Sequence, residues 1–171
     1  MKLTKNFSLD EFLTSQHMKK EEIEKFLTDE IKENIFLLSL ELQKIRDYIQ
    51  IPIIITSGFR PPPLNEKIGG SPNSLHLKGK ACDFTFKTKN PTQYLNKLAL
   101  LIEEDKLNFG ELIIYLTPQL EFSRIHFSIP SLSPLKLKYL LLSVEKTKAY
   151  TPITTNFLKN FENERKKYLK T

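Results

Sequence analysis

Residues 58–75, G-F-R-P-P-P-L-N-E-K-I-G-G-S-P-N-S-L, divide this chain in two. Three consecutive prolines remove three backbone donors and fix three φ angles, while Gly69 and Gly70 admit backbone shapes that other residues avoid. The stretch therefore reads as one long loop. Long ordered loops inside compact domains are uncommon and usually carry function. Ahead of the loop, residues 21–50 have helical spacing and I-P-I-I-I-T is a short apolar run; beyond it, strand-like alternation is interrupted by further helical spacing.

Ahead of the loop, Ser8 followed by Glu11 matches a capping box, so a short capped segment is expected near residues 7–12. Over residues 21–50, Ile31, Ile35, Leu38, Leu42, Ile45 and Ile49 recur at steps of three and four, with charged residues between them. That is the pattern of an amphipathic helix, capped by Thr28 or Asp29 and stopped before Pro52. I-P-I-I-I-T is a short buried strand. Residues 80–86 alternate as a strand, and residues 91–104 return to helical spacing. Residues 111–116 and 122–129 read as two strands of a hairpin around T-P-Q-L. Residues 137–149 add a further strand or pair, and residues 156–169 form a terminal amphipathic helix. The order of elements predicts an α+β fold with a mostly antiparallel sheet. One domain over residues 1–155 is expected, followed by a basic C-terminal helix or tail over residues 156–171.

Composition excludes several classes. At 171 residues the chain can bury a real core. Its longest apolar runs, I-F-L-L-S-L and Y-L-L-L-S-V, are far too short to span a membrane. The opening M-K-L-T-K-N-F-S-L-D lacks the apolar core of a secretory signal. The net charge of +6, mostly lysine, favours anionic partners without choosing among them. Nucleic acid has little support, because no basic–aromatic interleaving or recognised motif is present. Cys82 is the single cysteine, so no intrachain disulfide forms. Alternation puts it with Phe84 and Phe86 on the apolar face, as a buried and unreactive thiol.

Chemistry concentrates around two of the three histidines. His76 follows the loop, and Asp83 lies seven residues on, on the strand face opposite Cys82, Phe84 and Phe86. In the later strand Ile125, Phe127 and Ile129 share one face, while Arg124, His126 and Ser128 share the other. Two imidazoles and one carboxylate on fixed elements, with room for a water, match an open zinc site. His17 belongs to no such group and reads as a surface residue.

The segments S-G-F-R, N-E-K-I-G-G-S and S-L-H-L-K-G-K-A-C-D, followed by R-I-H-F-S, together resemble the zinc D-alanyl-D-alanine carboxypeptidases and related phage-borne peptidoglycan peptidases. These share a fold with the hedgehog signalling domain. The opening N-F-S-L-D-E-F-L-T-S-Q and N-F-G-E-L-I-I-Y resemble the small phage-type members, so the likeness runs over roughly residues 5–150. It implies that His76, Asp83 and His126 hold Zn2+. It implies that Arg60 contacts the substrate carboxylate or the oxyanion formed during attack, a role suited to a guanidinium. Asn65 and Ser74 would hold the loop carrying His76, and Gly79 and Ala81 would let the chain pass close to the metal. The implied substrate is a peptidoglycan stem peptide, cleaved beside a D-amino acid by a monomeric protein that reaches the cell wall from a host cytoplasm or virion.

The chain departs from the family where a general base is needed. The family's acid in the preceding strand falls on Tyr115, which becomes a substrate-binding candidate with Arg60 and Ser74. Ser123 stands where some relatives carry an acid, and Arg124 replaces the family's Trp. Glu111 and Glu121 remain as candidate bases. A hairpin around T-P-Q-L sets Glu111 directly opposite His126 and turns Glu121 to the other face, which favours Glu111. The alternative is a catalytically degenerate member that binds cell wall or serves in phage structure and assembly.

Overall fold

The computed structural model describes residues 1–130, 138–145, 147 and 149–165. Helix α1 (Leu9–Phe12) opens the chain, and the Glu11 carboxylate accepts the Ser8 N–H at 2.8 Å, as the capping-box spacing predicts. Helix α2 (Lys20–Glu24) is short, and α3 (Asp29–Ile49) is the long one. Thr28 caps α3 by accepting the Ile31 N–H at 3.2 Å. Gln50 ends it in the left-handed region at φ 64°, just ahead of Pro52. Ile35, Leu38, Leu42, Ile45 and Ile49 are all buried along one stripe of α3. Truncating any such side chain to alanine costs about 2–5 kcal/mol.

Strand β1 (Ile53–Ser57) leads into the proline stretch. That stretch is not one loop. Pro62–Lys67 forms helix α4, with Pro61 as N-cap and proline at its first positions. Proline suits that place, because the first turn of a helix has no internal partner for its N–H groups. A 3₁₀ turn (Leu75–Lys78) comes next, then β2 (Ala81–Phe86). Residues 91–104 form a 3₁₀ turn (Pro91–Tyr94) running into α5 (Leu95–Glu103). The hairpin strands are β3 (Glu111–Leu116) and β4 (Phe122–Ser128). Strands β5 (Tyr139–Val144) and β6 (Thr151–Pro152) complete the sheet. In place of one terminal helix there are two, α6 (Thr155–Lys159) and α7 (Phe161–Arg165), separated by Asn160 at φ −114° and ψ 24°. Phe157, Leu158 and Phe161 of these helices are buried in the core. The expected continuation of a basic helix past Arg165 lies outside the described residues.

The six strands run in the order β1-β2-β4-β3-β5-β6. All neighbours are antiparallel except β3 and β5, which are parallel. The fold is thus α+β with a mostly antiparallel sheet, as the element order predicts. One sheet face carries Cys82, Phe84, Leu112, Ile114, Ile125 and Phe127, all fully buried. The period of two sends Asp83, Glu111, Ile113, Tyr115, Arg124 and His126 to the other face. There they line a cavity of about 690 Å³.

Candidate metal centre

Two adjacent strands and one turn build the centre. In the ladder between β2 and β4, Asp83 is the direct partner of His126. Strand alternation alone puts both side chains on the cavity face. His76 comes from the 3₁₀ turn, whose position is fixed at both ends. Ser74 Oγ accepts the His76 N–H at 3.4 Å. Gly79 closes the turn at φ 66°, and a Cβ there would lie 2.9 Å from the Ile31 carbonyl oxygen of α3. Asn34, also on α3, donates to the Lys78 carbonyl at 2.9 Å. The preceding loop is tied by Asn65, which donates from Nδ2 to Ser71 O at 2.9 Å and accepts the Gly70 N–H at 2.8 Å on its own carbonyl.

His76 Nε2, His126 Nδ1 and Asp83 Oδ1 converge on one point. Their separations are 3.2 Å between the two nitrogens, 3.4 Å from His76 to Asp83 and 2.8 Å from His126 to Asp83. Ligands of a tetrahedral metal with bonds of about 2.0–2.1 Å lie about 3.3 Å apart, so these three atoms sit close to the edges of that tetrahedron. The protonation pattern agrees. His76 Nδ1 lies 2.7 Å from the Gly58 carbonyl, which can only accept, so Nδ1 carries the hydrogen and Nε2 keeps its lone pair inward. Among the described residues this is the one group of three or more such side chains arranged to hold a metal ion. The donor set therefore fits a divalent metal.

Electrostatics keep the ligands in the required forms. Burial lowers the His76 pKa and so favours the neutral ring. Burial alone would raise the Asp83 carboxyl, but the two histidines outweigh it and hold Asp83 well below the usual carboxylate range. Cys82, on the reverse face of the same strand, is pushed well up by burial and then by the Asp83 charge. It stays a thiol, as expected from its apolar position.

Arg60 lies beside the cluster. Its Nη2 donates to Asp83 Oδ2 at 2.5 Å and its Nε to Ser57 Oγ at 2.8 Å. Its backbone N–H donates to the His76 carbonyl at 3.1 Å, which joins the arginine to the ligand turn. On β4 the Arg124 guanidinium lies over the Tyr115 ring, 4.2 Å from its centre. Arg124 Nη1 pairs with Glu145, and Nε lies 3.7 Å from Asp83 Oδ2. Tyr115 and Tyr150 are joined through their hydroxyls at 3.3 Å. Burial, then Tyr150, raises the Tyr115 pKa.

Arg60, Ser74, Glu111 and Tyr115, with His76, Asp83 and His126, thus line one cavity. Glu121 does not; it is exposed in the hairpin turn, with its N–H on Thr117 Oγ at 3.2 Å. The hairpin register differs from the expected one. Ile113, not Glu111, is the partner of His126. Two displacements produce this: the turn closes between Thr117 and Glu121 with Leu120 at φ 60°, and a bulge lies at Tyr115/Leu116. Together they amount to two residues, which preserves the face. Glu111 therefore still points to the cavity, with Oε2 at 3.8 Å from His126 Nε2.

Sequence reasoning did not find Tyr150 or Glu145 at this wall. Tyr150 precedes the two-residue strand β6 and Glu145 follows β5, and neither lies in a periodic pattern. Strand alternation puts Arg124 on the face of His126, and the structure brings it to the same cavity, but its pairing with Glu145 has no local signature.

Residues 5–110 of the chain match the family model for Peptidase M15. No curated protein matches the chain. The matched stretch contains Arg60, His76 and Asp83, and His126 follows on the strand that pairs with Asp83. With this match covering more than half of the sequence, and with His76, Asp83 and His126 grouped as a metal ion would need, the chain belongs to the peptidase M15 family.

Proposed function

We propose that this protein is a zinc-dependent peptidase that hydrolyses a bond beside a D-amino acid in peptidoglycan stem peptides, reaching the wall after release from a host cytoplasm or virion. The observation that carries this reading is the convergence of His76 Nε2, His126 Nδ1 and Asp83 Oδ1 at tetrahedral spacing, on the floor of a cavity that Arg60 also lines.

When bound, zinc supplies a Lewis acid that polarises a carbonyl and acidifies water. His76, Asp83 and His126 would hold it. Arg60 is placed to stabilise the negative charge that develops on the carbonyl oxygen, since a fixed guanidinium acts strongly in a partly buried site. Glu111 is the candidate base. Apart from Asp83 it is the one carboxylate among the described residues lining the cavity, and at 41% side-chain exposure it has room to reorient. Its role is to take a proton from water and pass it to the departing amine. Ser74 positions the ligand turn and reaches the cavity rim, and Tyr115 forms part of the wall against which a peptide would lie.

The test is metal content by mass spectrometry on wild type and His76→Ala, with release of D-alanine or stem-peptide fragments from cell wall in parallel. One zinc per chain, lost in the variant, together with metal-dependent cleavage, supports the peptidase. Zinc without cleavage supports the degenerate binding module, a reading favoured by Ser123, whose hydroxyl donates to Glu145 at 2.6 Å where some relatives carry an acid.

A further inference from the structure

Two arginines line the cavity. Arg60 and Arg124 approach the same Asp83 oxygen, at 2.5 and 3.7 Å, from two different elements. Among the described residues the acidic side chains of the lining are Asp83 and Glu111, and Glu145 beside the lining pairs with Arg124. A divalent metal on the three ligands would take up the Asp83 charge and leave the cavity positive.

Arg124 is held more firmly than a surface arginine. Its guanidinium lies over the Tyr115 ring, its Nη1 is fixed by Glu145, and Ser123 Oγ donates to the same Glu145 oxygen. Tyr115 is in turn held by Tyr150. Among the described residues no hydrogen bond engages Arg124 Nη2. A guanidinium stacked on an aromatic ring, with donors left over and about a third of its side chain exposed, is prepared to receive planar oxygens.

We infer that Arg124 is a specificity-determining residue that grips a carboxylate of the substrate, in the same cavity as Arg60 but from a different element. The inference rests on the peptidase reading of the same site and divides its two arginines. Arg60, tied to the ligand turn, serves the reacting carbonyl. Arg124, on β4 and tied to Glu145, selects for an anionic peptide. The carboxylate comes either from the free end of the peptide or from an acidic side chain within it.

The experiment uses the zinc-loaded full chain and peptides ending in D-Ala-D-Ala whose scissile amide is replaced by a non-hydrolysable reduced bond. Each is made with a free C-terminal carboxylate or as the carboxamide, and with Glu or Gln earlier in the peptide. Calorimetry reads the Kd, and the hydrolysable versions give kcat/KM. Wild type is expected to bind one carboxylate form about 10- to 100-fold more tightly than its amide, the range of a charge-assisted hydrogen bond. Arg124→Gln should abolish that ratio without changing zinc content, and Arg124→Lys should retain part of it. The member of the pair that carries the ratio identifies the source of the carboxylate.

Equal binding of both forms by wild type overturns the inference, and that comparison needs no variant to fold. An Arg124→Gln protein that binds both forms more weakly by the same factor also overturns it, since a residue that only braces Glu145 would behave so. Carboxylate preference without hydrolysis leaves the Arg124 assignment standing while the peptidase reading fails. Hydrolysis without preference does the reverse.

Discussion

The Nδ1 of His76 and the carbonyl oxygen of Gly58 lie 2.7 Å apart across 18 residues of sequence. Gly58 is also pressed against α1, where a Cβ would come within 2.2 Å of the Phe12 carbonyl oxygen. The next residue, Phe59, donates its N–H to that same oxygen at 2.8 Å. The N-terminal helix, the end of β1 and the first of the three candidate ligands are therefore joined through one glycine.

Gly58→Ala should accordingly damage two properties together. Overpacking against Phe12 is expected to cost about 1–3 kcal/mol of stability. Displacing the carbonyl that orients His76 should weaken metal binding about 10- to 100-fold, as loss of such an outer partner usually does. Chemical denaturation and a competitive metal titration measure the two. A stability loss with unchanged metal affinity would show that the carbonyl does not orient the ring.

Asp83 is nearly buried and faces Arg60, Arg124, His76 and His126. Asp83→Asn should abolish metal binding. It should also destabilise the metal-free protein by about 3–5 kcal/mol, because it leaves the Arg60 charge without its buried partner. Urea melts of both proteins in chelator test this. Equal midpoints would mean that the ion pair contributes nothing net without metal.

Acid should destabilise the metal-free protein in two stages. Burial holds His76 below its ordinary 6.5. The unfolded chain therefore takes up a proton first as the pH falls below 6.5, and stability declines until the folded ring also titrates. Asp83 is held well below its ordinary 3.8. Its contribution is complete above 3.8 and is lost as the pH falls through its lowered value. Between about pH 7 and pH 5, the urea midpoint of the chelated wild type should fall further than that of His76→Gln. Parallel declines would place the sensitivity elsewhere.

Glu111→Gln should lower kcat about 10²- to 10⁴-fold with zinc content unchanged, the range for loss of a general base. Glu121→Gln should leave both unchanged, since Glu121 stands outside the cavity. Full activity of Glu111→Gln would remove it as the base.

Legibility in the sequence depends on how local each determinant is. The period of two along β2 and β4 is enough to put Asp83 and His126 on one face, because strand alternation needs no tertiary information. The stripe on α3 is legible for the same reason. The three prolines read as loop because proline that excludes a helix interior is compatible with a helix start, and only the chain beyond decides. The partner of His126 is hidden by a left-handed Leu120 and a bulge at Tyr115/Leu116, neither of which has a glycine or asparagine to announce it. The parallel pairing of β5 with β3, which brings the final segment to the cavity, is a long-range choice with no local signature.

The direct pairing of Asp83 with His126 bears on how the protein comes apart. These two residues are 43 apart in sequence and sit at the centre of the sheet, on neighbouring strands. An ion held by both would rivet β2 to β4, and the strands would not separate until it left. The lifetime of the metal-loaded native state would then follow metal release rather than the ladder's hydrogen bonds. Amide exchange at the middle of the sheet should follow the same clock, while α1 and α2 at the periphery keep their own.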